Sequence, residues 1–133
     1  MGGALPGRGA GLGRSATHLD NVTVKALLLM YHDEKAMQHL SREEYGKLHG
    51  AFTAYVEALK QAGALVGNHG LRPTGEAKTV RKQAVLDGPF AETKEQLAGY
   101  FVLEVADMDA ALAWAKRVPT AAYGAVEVRP VWT

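Results

Sequence analysis

The sequence predicts an α+β domain: apolar strand-sized runs near both ends, two amphipathic helical stretches, and a pair of short alternating segments that suit a hairpin. In chain order these read β-α-β-β-β-β-α-β. That is the split βαβ plan, with two helices on one face of an antiparallel sheet and an extra hairpin at its centre.

The first strand is Val24 to Tyr31, apolar on both faces, since Leu27 and Leu29 point one way and Leu28 and Met30 the other. Both faces therefore need cover. Ser41-Arg42-Glu43-Glu44 has capping-box form and opens a helix. Its apolar stripe runs through Tyr45, Leu48, Phe52, Tyr55, Val56 and Leu59, and Gly63 is placed to close it in a left-handed cap. Strands follow at Ala64 to Leu71, Ala77 to Arg81 and Gln83 to Leu86, with Arg72-Pro73-Thr74-Gly75 breaking the first from the second. Gly99 to Val105 alternates, with Tyr100, Val102 and Glu104 opposite Phe101, Leu103 and Val105. Asp107 caps a second helix bearing Met108, Ala111, Leu112 and Ala115, which Pro119 stops, and Tyr123 to Trp132 makes the last strand.

Residues 1–23 differ from the rest, rich in glycine and without an apolar period. They lack the continuous apolar stretch of a secretory signal and are expected to be a disordered tail or a mis-assigned start, leaving residues 24–133 as one domain. The 133 residues, 47% of them hydrophobic, suffice for one core. Fifteen basic against fourteen acidic residues give +1 with no basic block, so the field that draws proteins to nucleic acid is missing. With no cysteine, thiolate nucleophiles, disulfides and zinc-thiolate sites are excluded, and a cytoplasmic location is expected. The longest apolar run, Ala26 to Tyr31, is far too short to span a membrane.

The candidate chemistry centres on Asp87-Gly88-Pro89-Phe90-Ala91-Glu92-Thr93-Lys94-Glu95, where an apolar strand ends in a turn crowded with ionisable groups. Asp87 at a strand end can act as a general base or orient a histidine, or simply cap its own turn. Glu92 and Lys94 can bind a polar ligand or stay solvated. His32 ends the first strand and His69 lies in the second, so either can project from the sheet into a pocket and titrate near neutrality. His18 falls in the tail, and His39 and His49 are expected in solvent. In the last strand Tyr123, Glu127, Arg129 and Val131 share one face, where Arg129 can clamp a carboxylate or pair with Glu127. Tyr100 adds a hydroxyl. No metal-binding spacing, Walker loop or Ser-His-Asp set is present, so no metal and no cofactor are expected.

Met30-Tyr31-His32-Asp33-Glu34, the Asp87 segment, Gly99-Tyr100 and Glu127-Val128-Arg129-Pro130 together resemble the YCII-related family, and more narrowly its DGPF-domain branch. The resemblance covers about Val24 to Trp132. It implies a ferredoxin-like fold paired through its sheets as a dimeric α/β barrel, in agreement with the two-faced first strand. It also implies a His–Asp site, onto which Asp87 maps; neither His32 nor His69 lies in a motif that matches the family's histidine, and His69 is the candidate partner if it comes within hydrogen-bond reach of Asp87.

Two functions are expected from these readings. The first is a homodimer that binds a small polar or aromatic metabolite between its sheets and performs cofactor-free acid–base chemistry, with Asp87 and His69 catalytic and Tyr100, Arg129, Glu127, Glu92, Lys94 and His32 binding the ligand. The second is a non-enzymatic accessory protein whose partner is an extracytoplasmic-function sigma factor. Nucleic acid and membrane are not expected partners.

Overall fold

The computed structural model describes residues 22–132. The expected disordered tail, His18 included, lies almost wholly outside them. Strand β1 (Val24–His32) leads into a short helix α1 (Glu34–Met37) and the long helix α2 (Arg42–Gln61). Strand β2 (Leu65–Gly70), a 3₁₀ turn (Thr74–Glu76) and the hairpin β3 (Lys78–Arg81) and β4 (Ala84–Asp87) follow. Then come β5 (Gln96–Val105), α3 (Met108–Lys116), a second 3₁₀ turn (Pro119–Ala122) and β6 (Ala125–Pro130).

The main sheet is antiparallel, in the order β2-β5-β1-β6. That order and the helix placement are compatible with a ferredoxin-like α+β fold. Ala26, Leu28 and Met30 of β1 and Phe101, Leu103 and Val105 of β5 point to one face, where α2 adds Tyr55 and Leu59 and α3 adds Ala111 and Ala115. Phe101 meets the edge of Tyr55 at 5.1 Å between centroids, and the Tyr55 hydroxyl donates to the Trp114 carbonyl at 2.9 Å. One buried tyrosine thus fastens α2 to α3 over the sheet.

The local signals act as read. Ser41 accepts the Glu44 N–H at 3.0 Å while Glu44 accepts the Ser41 N–H at 2.9 Å, closing the capping box. At the other end Gly63, at φ +69°, carries the chain into a left-handed turn in which the Ala64 N–H reaches the Leu59 carbonyl. Asp107 caps α3 through the Ala110 N–H at 2.8 Å.

Three differences from the sequence reading matter. Helix α1 was not expected, because four residues carry no period; it exists through Asp33, which accepts the N–H groups of Lys35 and Ala36. The hairpin forms its own two-stranded sheet rather than extending the main one. Strand β6 begins at Ala125 rather than Tyr123. Tyr123 caps the end of the second 3₁₀ turn, and Gly124 then passes so close to the Tyr31 carbonyl that any Cβ there would lie 2.1 Å from it.

The sheet face without helices carries Leu27, Leu29, Tyr100 and Val102, each half-buried, with Glu104, Glu127 and Arg129 among them. Val126 and Val128 lie on the opposite side against the core, so the polar members of β6 share the helix-free face as expected.

Candidate functional site

The apolar stripe of α2 is unevenly used. Its C-terminal half is sealed by Tyr55 and Leu59, whereas Leu48 and Phe52 are only half-buried and Tyr45 is 63% exposed. Beneath the N-terminal half lies a cleft of about 1070 Å³, just above the roughly 300–1,000 Å³ usual for small-molecule sites. Leu48, Phe52 and Val56 form its roof, Met30 and Phe101 its floor, and Met37, Leu40 and Leu71 its flanks. Polar groups sit at intervals on these walls: His32, Glu34, His49, Asn68, His69, Tyr100 and Tyr123.

His32 is the best placed of these for chemistry. Its ring lies 6.3 Å from that of Tyr123, and among the described residues no side-chain hydrogen bond engages it. Burial, the largest influence, holds the imidazole below its ordinary value of 6.5, while Glu34, Asp33 and Glu95 push the other way. At neutral pH the ring is therefore uncharged, and one nitrogen can accept a proton.

The segment after His32 is pinned from two sides. The Glu34 N–H donates to Gln96 Oε1 at 2.9 Å, and the Glu34 carboxylate accepts the Thr74 N–H at 2.9 Å and the Thr74 hydroxyl at 2.7 Å. Gln96, directly opposite His32 in the β1–β5 ladder, also donates from Nε2 to the Thr93 carbonyl at 2.6 Å.

The remaining candidates fall into two groups. His69 and Tyr100 are cross-strand partners with rings 5.9 Å apart; both border the cleft. Tyr100 also pairs with Leu29, which pairs in turn with Glu127, so His69, Tyr100, Leu29 and Glu127 stand in one row across four strands. Arg129 Nε donates to Glu127 Oε2 at 2.9 Å, and Tyr31 reaches the other Glu127 oxygen at 3.4 Å. Asp87 lies apart. It ends β4 with its side chain 89% exposed and takes Lys78, its ladder partner, as a salt bridge. Among the described residues no hydrogen bond or ion pair joins it to a histidine, and it does not line the cleft. Glu92 and Lys94 are exposed in the following loop.

Sequence reasoning missed Tyr45, His49 and Tyr123 as cleft residues. Tyr45 belonged to the predicted stripe but was not separable from its buried members, and Tyr123 was assigned to the wrong face because the 3₁₀ turn was not foreseen. Among the described residues no cluster of three or more histidine and acidic side chains suits a metal ion, and no helix is long and apolar enough to cross a membrane.

Residues 24–133 match the family model described as the YCII-related domain. The chain belongs to the YCII-related family. A similar chain is the uncharacterised protein R00369 of Rhizobium meliloti (strain 1021), 38% identical over 110 residues that span 78% of this chain and 89% of the relative. The family match begins with β1, so the YCII-related domain takes in the cleft, the hairpin and both sheet faces.

Proposed function

We propose that the chain binds a small, largely apolar molecule of aromatic-ring size in the cleft beneath α2 and exchanges a proton with it through His32. The observation that carries this reading is an uncharged, half-buried imidazole that has no side-chain hydrogen-bond partner among the described residues, at the edge of an apolar cleft. A nitrogen lone pair of His32 takes a proton from the ligand. The resulting imidazolium then faces Asp33, Glu34 and Glu95, whose field favours the charged form, and the proton returns at the end of the cycle. In this reading Asp87 leaves the proton transfer to His32, and the Asp87 segment serves as the mark of the DGPF branch. His69 and Tyr100, paired across β2 and β5, border the cleft at the β2 edge of the sheet. The helix-free face, with Glu127 and Arg129, is the surface through which two copies pair.

The test uses 1-anilinonaphthalene-8-sulfonate as an aromatic probe and follows the His32 ring by NMR. Native protein binds the probe with a fluorescence rise, Leu48→Trp, which fills the cleft, weakens it by at least about tenfold, and the free His32 ring titrates below 6.5. Equal binding by Leu48→Trp, or titration at or above 6.5, would sink the reading.

A different observation supports an accessory role through protein contacts, including the expected sigma-factor partner. Val80, Val85 and Phe90 of the hairpin region are 67%, 66% and 73% exposed, and such a patch suits a macromolecular partner. Pull-down of a purified extracytoplasmic-function sigma factor by native protein, lost in Val80→Glu, supports it; equal retention by both removes the hairpin from that role.

A further inference from the structure

The hairpin and the cleft meet through one set of hydrogen bonds. The hairpin leaves the domain at the 3₁₀ turn containing Thr74 and returns through Thr93. Both roots are held by the segment that carries His32. Glu34 binds Thr74 through both carboxylate oxygens, and Gln96 bridges the Thr93 carbonyl to the Glu34 N–H. Each of Glu34 and Gln96 therefore has one end on a hairpin root and the other on the backbone beside His32.

Elsewhere the hairpin has little to hold it. Among the described residues its bonds are the β3–β4 ladder, the Lys78–Asp87 pair, the Thr79 hydroxyl to the Gly88 carbonyl and the Gly88 N–H to the Ala77 carbonyl, with Arg81 over the Phe90 ring, all within the hairpin and its loop. A two-stranded ribbon alone is marginal in water. Past the Leu71 N–H to Ala98 carbonyl bond at the end of β2, the part-buried bonds at Glu34 are the ties that set its position, and they lie two residues from the imidazole.

We propose that Glu34 and Gln96 are positioning residues for His32, fastening the hairpin roots and the imidazole as one device. This rests on the reading of His32 as the proton acceptor of the cleft, and it names what regulates that acceptor: whatever displaces the hairpin displaces the ring. Neither residue is assigned to the chemistry itself. Glu34 has both oxygens on Thr74, and Gln96 has its oxygen and nitrogen on backbone groups.

The groups that face His32 are Asp33 and Glu34 on its own segment, Glu95 on the hairpin's return and Tyr123 after the second 3₁₀ turn. Releasing the clamp without altering any of these charges isolates its effect. Thr74→Val removes the hydroxyl donor, Thr74→Ser restores it, and Gln96→Ala removes the second tie. All can be read on the ligand-free protein by NMR titration of the His32 ring and by amide exchange in Lys78–Asp87.

Thr74→Val and Gln96→Ala should speed hairpin exchange by at least about tenfold. They should also move the His32 midpoint upward by about 0.3 pH units or more as water reaches the ring, while Thr74→Ser matches native protein in both. The proposal is overturned if hairpin exchange rises while the His32 midpoint stays put, since the two are then independent. It is equally overturned if neither responds. Because no ligand enters this experiment, its outcome is separate from that of the probe test: a cleft that fails to bind the probe leaves the clamp readable, and an uncoupled clamp leaves probe binding intact.

Discussion

The main sheet and the β3–β4 hairpin are both antiparallel and both carry large apolar side chains, yet these end in opposite environments. In the main sheet Leu28, Phe101 and Leu103 are sealed beneath two helices, whereas in the hairpin Val80, Val85 and Leu86 face solvent. Alternation specifies which residues share a face; it does not supply the second layer that buries them. The helices that follow β1 and β5 supply that layer to the main sheet, and no element follows the hairpin closely enough to do the same.

That contrast can be broken by substitution. Phe101→Ala should lose about 3–5 kcal/mol of unfolding free energy in a urea titration, because the ring is buried against Tyr55 and its removal leaves that contact empty. A loss below 1 kcal/mol would mean that the sheet is no better packed than the hairpin. Gly124→Ala should cost about 1–3 kcal/mol, since its Cβ would press on the Tyr31 carbonyl and move the start of β6; thermal melting reads this directly.

Tyr55→Phe should cost about 1 kcal/mol by removing the hydroxyl bond to Trp114, and it carries a pH signature. Burial raises the Tyr55 phenol above its ordinary value of 10.0, so the folded state holds its proton where the unfolded chain releases it. The stabilising difference is complete below pH 10 and is lost as pH climbs above it. Melting curves at increasing alkaline pH should therefore fall more steeply for native protein than for Tyr55→Phe. The smallest effect belongs to the hairpin: Val85→Ala should change the stability of the single chain by less than about 0.5 kcal/mol. A larger loss that grows with protein concentration would show that a second copy covers the ribbon.

Much of the fold was legible because its determinants are local. The Ser41–Glu44 box, Gly63 and Asp107 each act through bonds to neighbours within a few residues, and the parity of Val126 and Val128 follows from the pleat alone. The cleft was not legible, because Leu48 and Leu59 sit in the same stripe and only the tertiary structure decides which one meets the sheet. His32 was named as a candidate, but its importance relative to His69 depends on burial, which one sequence does not report. Asp87 shows the reverse case. Its motif marked the family, while its ladder partner Lys78 accounts for its bond in the fold.

The ladder between β1 and β5 pairs Met30 with Gly99 and then Tyr31 with Leu97, leaving Ala98 as an additional residue at a bulge. Side-chain direction along β5 changes phase there. Removing Ala98 would carry Phe101 and its neighbours through unchanged but turn every residue ahead of the gap to the opposite face, sending the Gln96 amide away from Glu34. One inserted alanine thus lets a single strand serve the core at one end and the cleft rim at the other.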